Sequence, residues 1–271
     1  LWTNGPIGLF NPTVVSAITL PDGSKYRFRY NEYAEITRIE HPTGGYERFE
    51  YDFVQPIGYT ALEVYTQSNR GVVAHFLSYD GATESETRLY EDSGSGTAII
   101  NPDGTRTERD LYYTDRSSFG TDDPRNGMVR EERVKDANGA LRSRTLTEWV
   151  VTPPSGTGMI VPNGRDPRPT RTISIRFEGG AILASMTETV YDDPGPNSSA
   201  PAEPSFFARL NPRQTKSYHF LTLDNDEATA AYEAAIVDLA AKFHAQGQLA
   251  SVTETEYLYD ANYKAAGILS L

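Results

Sequence analysis

The sequence predicts a mainly β fold, and three observations carry that expectation. Short runs alternate polar and apolar residues, turn tripeptides such as Pro-Asp-Gly separate them, and tyrosine, phenylalanine, glycine and proline are abundant, at 17, 11, 22 and 17 of 271 residues. Alternation at period two puts successive side chains on opposite faces of a strand, and frequent turn signals keep the strands short.

The first elements form a repeating pair. Ala17 to Leu20 runs into the turn Pro21-Asp22-Gly23, and KYRFRY then sets Lys25, Arg27 and Arg29 on one face with Tyr26, Phe28 and Tyr30 on the other. A strand carrying Ile36 and Ile39 follows, Pro42-Thr43-Gly44-Gly45 turns the chain, and YERFEYDF returns it. Pro21 maps onto Pro42, Gly23 onto Gly44, Phe28 onto Phe49, Tyr30 onto Tyr51 and Asn31 onto Asp52, all at an offset of 21 residues (42 minus 21). A unit that small cannot bury its own apolar face, so it requires neighbouring hairpins, and the aromatics are expected to form a ladder across them.

Weaker copies follow. Gly71 to Gly81 ends in Tyr79-Asp80-Gly81, TRLYED supplies the next strand, and Thr97 to Asp115 repeats the Pro-Asp-Gly turn at Pro102 to Gly104. Met128 to Lys135 and Leu141 to Val151 are expected to form a hairpin through a type I′ turn at Asn138-Gly139. Residues 153–169 and 194–204 are Pro- and Gly-rich and read as loops, the first dividing a sheet region at 1–152 from further hairpins at 170–271. Thr170 to Asp193 turns at Gly179-Gly180. One segment departs from β: residues 225–246 follow acidic cap residues and place Tyr232, Ile236, Leu239 and Phe243 at helical spacing, with Gly247 as the stop. The expectation there is one amphipathic helix lying on the sheet, followed by a last strand ending at Tyr259-Asp260.

Composition narrows the partners. A formal net charge of -12 opposes phosphate backbones and anionic lipid surfaces, so nucleic acid is not an expected partner. No apolar run approaches the roughly 20 residues that cross a bilayer. Without cysteine there is no disulfide framework and no thiolate chemistry. The sequence starts at Leu1 rather than Met and reads as a piece of a longer or processed polypeptide.

Tyr-Asp or Tyr-Asn closing an alternating strand recurs at Tyr30-Asn31, Tyr51-Asp52, Tyr79-Asp80, Tyr191-Asp192 and Tyr259-Asp260. With the preceding Pro-x-Gly turns, these pairs resemble the YD repeat of bacterial Rhs proteins, teneurins and the cocoon subunits of toxin complexes. The match is densest from Ile18 to Asp52 and degenerates beyond Val54. The resemblance implies an extended or spiralling sheet of antiparallel hairpins able to form a shell, a secreted or cell-surface bacterial location, and self-assembly or a longer Rhs chain as partner. The sequence departs from the fullest pattern, with no Asp-Pro-x-Gly core terminus, self-cleavage segment or toxin-like tail.

Catalytic signals are weak. His41, His75, His219 and His244 have no metal-ligand spacing and read as structural or surface residues, and the acids are too many for any pair to stand out as a glycosidase couple. No catalytic residue, cofactor or metal is expected. The expected function is a non-enzymatic extracellular scaffold, and the alternative is a carbohydrate-binding surface module using tyrosines such as Tyr26, Tyr30, Tyr112 and Tyr113. The uncharged segment LWTNGPIGLF, with Trp2, Leu9 and Phe10, is expected to serve as an assembly strand or plug.

Overall fold

The computed structural model describes residues 13–53, 70–92, 96–112, 125–152, 165–191 and 212–255. Trp2, Leu9, Phe10, Tyr113, Asp192, Tyr259 and Asp260 lie outside the described residues. The fold is mainly β, built from antiparallel hairpins in chain order, and it divides into two compact units at Arg106/Thr107. The boundary expected at 152 therefore falls inside the second unit. No helix among the described residues is long and apolar enough to cross a membrane.

The first unit contains β1 (Ala17–Thr19), β2 (Lys25–Tyr30), β3 (Ile36–Glu40), β4 (Tyr46–Phe53), β5 (Arg70–Ser78), β6 (Glu86–Asp92) and β7 (Gly96–Ile100), each paired with the next. Its tight turns share one geometry. At 20–24, 41–45 and 101–105 the first residue's N–H donates to the fifth residue's carbonyl at 2.8 Å, while the fourth residue, always glycine, donates back to the first. That glycine sits at positive φ, 84° at Gly23, 95° at Gly44 and 80° at Gly104, as a three-residue hairpin loop requires. Successive hairpins also pack turn on turn: a Cβ on Gly45 would lie 2.6 Å from the Ser78 carbonyl oxygen, so only glycine fits there.

One face of this unit is a row of paired charges and rings. Arg29 and Arg38 meet Glu40 at 2.8 and 3.3 Å, Arg48 meets Glu84 at 2.6 Å, and the guanidinium groups of Arg38 and Arg48 cover the rings of Tyr46 and Phe76 at 3.5 and 3.8 Å. On the other face Phe49 stacks on His75 and Tyr26 meets His41 edge-on. Among the described residues of this unit, rings thus pair across strands with arginine, with histidine and, at Phe28 and Ile39, with a β-branched side chain. Long cations cover a ring while keeping their charge in contact with water, which suits half-exposed strands.

The second unit contains β8 (Arg106–Leu111, whose first residue closes the first unit), β9 (Val129–Lys135), β10 (Leu141–Thr152), β11 (Arg165–Glu178), β12 (Ala181–Tyr191), β13 (Pro212–Thr222), α1 (Asn225–Thr229), α2 (Tyr232–Gln246) and β14 (Leu249–Glu254). The β9–β10 turn repeats the five-residue geometry, Asp136 to Ala140 with Gly139 at φ 83°. A type I′ turn would need positive φ at Asn138 as well. Instead the Asp136 side chain accepts from the N–H groups of Asn138 and Ala140 and fixes the three-residue loop. The β11–β12 turn is the two-residue kind, with Gly179 and Gly180 both at positive φ between paired Glu178 and Ala181. β11 begins at Arg165, so residues 165–169 belong to a strand rather than the expected loop. Register shifts at Glu148/Trp149 and Val150/Thr152 accommodate its two prolines.

Here a true apolar core exists. Leu146, Ile173, Ile175, Ala184 and Met186 on the sheet pack against Tyr232, Ala235, Ile236, Leu239, Ala240 and Phe243 of α2. All four residues of the stripe read from the sequence face the sheet. The helix is not continuous, however: Ala230 and Ala231 are extended (ψ 152° and 147°), which separates α1 from α2. The cause is Arg144, only 3% exposed on the helix-covered face, whose Nη1 donates to the Ala228 carbonyl at 2.8 Å. In an unbroken helix that carbonyl would accept from the N–H of Tyr232. Glu131, itself 5% exposed, balances the guanidinium at 2.8 Å, and Arg133 meets the same carboxylate at 2.8 Å. An Asp224–Glu227 capping box starts α1.

Leu239→Asp sets a carboxylate into this dry contact and should cost at least about 3 kcal/mol, the scale of a large core truncation before desolvation is added. Urea unfolding followed by far-UV circular dichroism measures it. Wild-type stability in that variant would mean that α2 does not hold the sheet.

Candidate functional site: ring clasps at the open ends of hairpins

Each hairpin closed by a tight turn has an open end where its two strands diverge. Tyr30 at the open end of β1–β2 donates its hydroxyl to the Val15 carbonyl at 2.7 Å, and Tyr51 at that of β3–β4 donates to the Ile36 carbonyl at 2.9 Å. Donors and acceptors both step by 21 residues (51 minus 30, 36 minus 15), so the sequence repeat is a structural repeat. Tyr191 of β12 makes the same bond to the Pro169 carbonyl of β11 at 2.7 Å.

The ladder shows why a ring is needed there. In β3–β4 the last paired residues are Arg38 and Arg48. The acceptor Ile36 lies two residues before the first, and the donor Tyr51 three after the second. The same spacing holds for Ala17/Arg27 with Val15/Tyr30, and for Arg171/Glu188 with Pro169/Tyr191. At the same point the donor strand shifts register against the strand that follows it, between Arg29/Tyr30, Glu50/Tyr51 and Val190/Tyr191. A bulge bends its strand toward one neighbour and away from the other, and the backbone ladder to the preceding strand ends. A phenol is long enough to span the gap and carries one donor at its tip.

This geometry finds a fourth clasp that the sequence reading missed. Trp149 of β10 lies three residues past the pair Glu131/Leu146, follows the shift at Glu148/Trp149, and donates its indole N–H to the Val129 carbonyl at 2.9 Å. It has no tyrosine and no following Asp, so a search for Tyr-Asp passes over it. The signal lay in position: it is the ring near the end of a long strand after an Asn-Gly turn.

The residues after the tyrosines shape the exit. Asn31 Oδ1 accepts from the N–H groups of Tyr33 and Glu35 and turns the chain toward β3, with Ala34 at φ 61°, while Asp52 Oδ1 accepts from the N–H of Phe53. Tyr79 and Asp80 stand elsewhere. They form the tight end of the β5–β6 hairpin, where Tyr79 is 65% exposed with its hydroxyl on Glu86, and Asp80 Oδ1 accepts from Ala82 and Thr83. The position three past the last β5–β6 pair, Ala74/Leu89, is Asp92, which has no ring.

Burial, with the Glu35 carboxylate nearby, pushes the Tyr51 hydroxyl up, and burial does the same at Tyr191, so both remain donors. Tyr112 is engaged too: its hydroxyl and the Thr147 carbonyl each lie 2.8 Å from the Tyr232 hydroxyl, tying α2 to the sheet.

No family model matches the sequence, and no curated protein matches it. Among solved structures the chain is similar to the crystal structure of TcdB2-TccC3-TEV, with 10% identity, a TM-score of 0.36, and coverage of 74% of this chain and 12% of that one. For the crystal structure of TcdB2-TccC3-Cdc42 the values are 9%, 0.36, 74% and 12%. For TcdB2-TccC3 without hypervariable C-terminal region they are 9%, 0.34, 86% and 16%. This chain spans a small part of each of those chains.

Tyr51→Phe keeps the ring and removes only the donor, so it should cost about 1 kcal/mol in urea unfolding, and Trp149→Phe, which loses the donor together with part of the ring, should cost at least as much. A loss under a tenth of that in both would show that the bonds are incidental. Asp80, held at about 2 by the Thr83 and Ala82 N–H groups and the Ser78 hydroxyl, should contribute stability in full above the ordinary carboxylate range and lose it as the pH falls through about 2. Asp80→Asn should flatten that part of the acid unfolding curve.

Proposed function

We propose that the chain is a structural, non-enzymatic strip of YD-repeat sheet that forms part of a shell or surface assembly outside a bacterial cell. Its partners in this reading are the remainder of a longer Rhs-type polypeptide or further copies of itself. The observation that carries the proposal is the recurrence of one device, a ring donor past a bulge, at Tyr30, Tyr51, Trp149 and Tyr191. Its only chemistry is to hold a strand to the preceding strand, and it repeats hairpin by hairpin as a modular scaffold needs. The placement of charge agrees: arginines and acids of neighbouring strands neutralise each other across the ladder, as Arg109 with Glu132 and Arg133 with Asp110. The carbohydrate reading loses support at Tyr30 and Tyr112, whose hydroxyls are committed to the protein.

Purifying the chain with the residues that flank it in its gene, and imaging it by electron cryomicroscopy, tests this reading. The expected outcome is a sheet that continues into flanking chain or another copy. A closed monomer with saturable glycan binding in a glycan-array screen, or with turnover of a model substrate, would overturn it.

A further inference from the structure

One line of side chains in the first unit departs from charge alternation. Arg29 of β2, Arg38 of β3 and Arg48 of β4 stand directly opposite one another, so three guanidinium groups share a row across three strands. Like charges in that position destabilise a sheet. In the second unit a comparable row alternates, Glu148 to Arg171 to Glu188, as charge pairing alone requires. Nearby acids satisfy only part of the arginine row. Arg48 has Glu84 at 2.6 Å and a further contact to Glu50. Arg29 and Arg38 divide a single carboxylate oxygen, Glu40 Oε1, at 2.8 and 3.3 Å. On the same face of β2, Lys25 and Arg27 are exposed and form no ion pair among the described residues. Glu40 is thus, among those residues, the one acid paired with any of these four cations.

We infer that Arg27, Arg29 and Arg38 form a binding site for one doubly charged oxyanion, a phosphate or sulfate group. Arg38 is its fixed part. The guanidinium covers the Tyr46 ring at 3.5 Å, and that ring is itself 6% exposed with its hydroxyl on Glu84 at 3.3 Å. Arg38 Nε is buried without a hydrogen bond, and neither Nη donates to a described residue, so two donors of a planar fork are left for a ligand. A fork held in place matches two oxygens of an oxyanion and loses little freedom on binding. Arg29, 68% exposed, adds mobile donors beside it, since both groups reach the same Glu40 oxygen. Arg27 stands opposite Glu40, and its neighbour on β1 is Ala17, too short to cover a ligand. Four cations beside one carboxylate suit a dianion better than a second carboxylate. The net charge of -12 opposes a long polyanion, so the occupant is an isolated group rather than a nucleic acid. The assignment does not rest on the scaffold reading.

Titrating the whole chain with inorganic phosphate and with sulfate, while chloride holds the ionic strength constant, and following the arginine Nε–Hε signals by NMR reads the site directly. Saturable shifts of the Arg38 and Arg29 signals are expected with either anion, and none when chloride alone is varied. Arg38→Lys keeps the charge but loses the fork and should weaken binding about 10-fold, and Arg27→Gln should do the same. Arg142→Gln removes an exposed arginine of the second unit and should leave the affinity unchanged. Because Arg27 is exposed and unpaired among the described residues, its variant retains the fold even where Arg38→Lys loosens the Tyr46 contact. Glycerol phosphate separates the sources: tighter binding than inorganic phosphate assigns the site to an ester, and equal or weaker binding to the free ion. Shifts that do not saturate, an equal response to chloride, or undiminished affinity in either folded variant would overturn the proposal.

Discussion

The structure depends on how a strand stays attached after its ladder has ended. A β-bulge frees a strand to bend toward its next neighbour, but it also strips the previous neighbour of hydrogen bonds at the hairpin's open end. A ring with a donor at its tip restores one of them across the widened gap. The acceptor two residues before the last pair and the donor three residues after it recur at Val15/Tyr30, Ile36/Tyr51, Val129/Trp149 and Pro169/Tyr191. That constraint explains aromatic residues at strand ends better than a face-to-face ladder does. A ladder would require rings opposite one another, whereas the clasp requires only a backbone carbonyl.

The two units solve the burial problem differently. In the first, the buried hydrophobic residues among those described are Tyr46, Ala74 and Ala98, and pairing of Arg with Glu and with rings carries the contacts between strands. Such half-exposed pairs contribute at most about 1 kcal/mol each, so the unit relies on many of them together with its turn-to-turn packing. In the second, α2 dries one face of the sheet and a conventional core appears. The buried Arg144 does not follow from core packing alone, because an apolar residue of similar size would fill the space. Its guanidinium takes the Ala228 carbonyl and so sets where α1 ends, which orients α2 for Tyr232 to reach the Thr147 carbonyl.

Much of this could be read from the residues. Period-two alternation placed the strands, Pro-x-Gly and Asn-Gly placed the turns, and the 21-residue offset placed Tyr30 and Tyr51 in equivalent clasps, because each of these signals is local. The parts that escaped are long-range. Tyr79-Asp80 has the right letters but sits at a tight turn, and Trp149 has the wrong letters but sits at an open end; register decides both, and register is set by pairing partners. The helix reads as continuous from Asn225 to Gln246 because alanine-rich propensity is local, while the break is imposed by Arg144, more than eighty residues away (228 minus 144). The histidines looked scattered for the same reason: His41 and His75 share Glu47 only because β3, β4 and β5 are neighbours.

A chain assembled this way has a particular mechanical character. Each of the four clasped hairpins carries its own closure at both ends, a glycine turn at one and a ring clasp at the other, so these closures act between nearest neighbours and add to the core that α2 forms in the second unit. Loss of one clasp should loosen one open end and leave distant hairpins unaffected, which lets individual copies diverge. The β5–β6 hairpin illustrates the point, with Asp92 where a ring would stand, as does Trp149, which replaces the phenol with an indole and keeps only the donor. What persists across the four clasped hairpins is a donor at a fixed distance beyond the last ladder pair, and the Tyr-Asp pair is the commonest way the sequence supplies it.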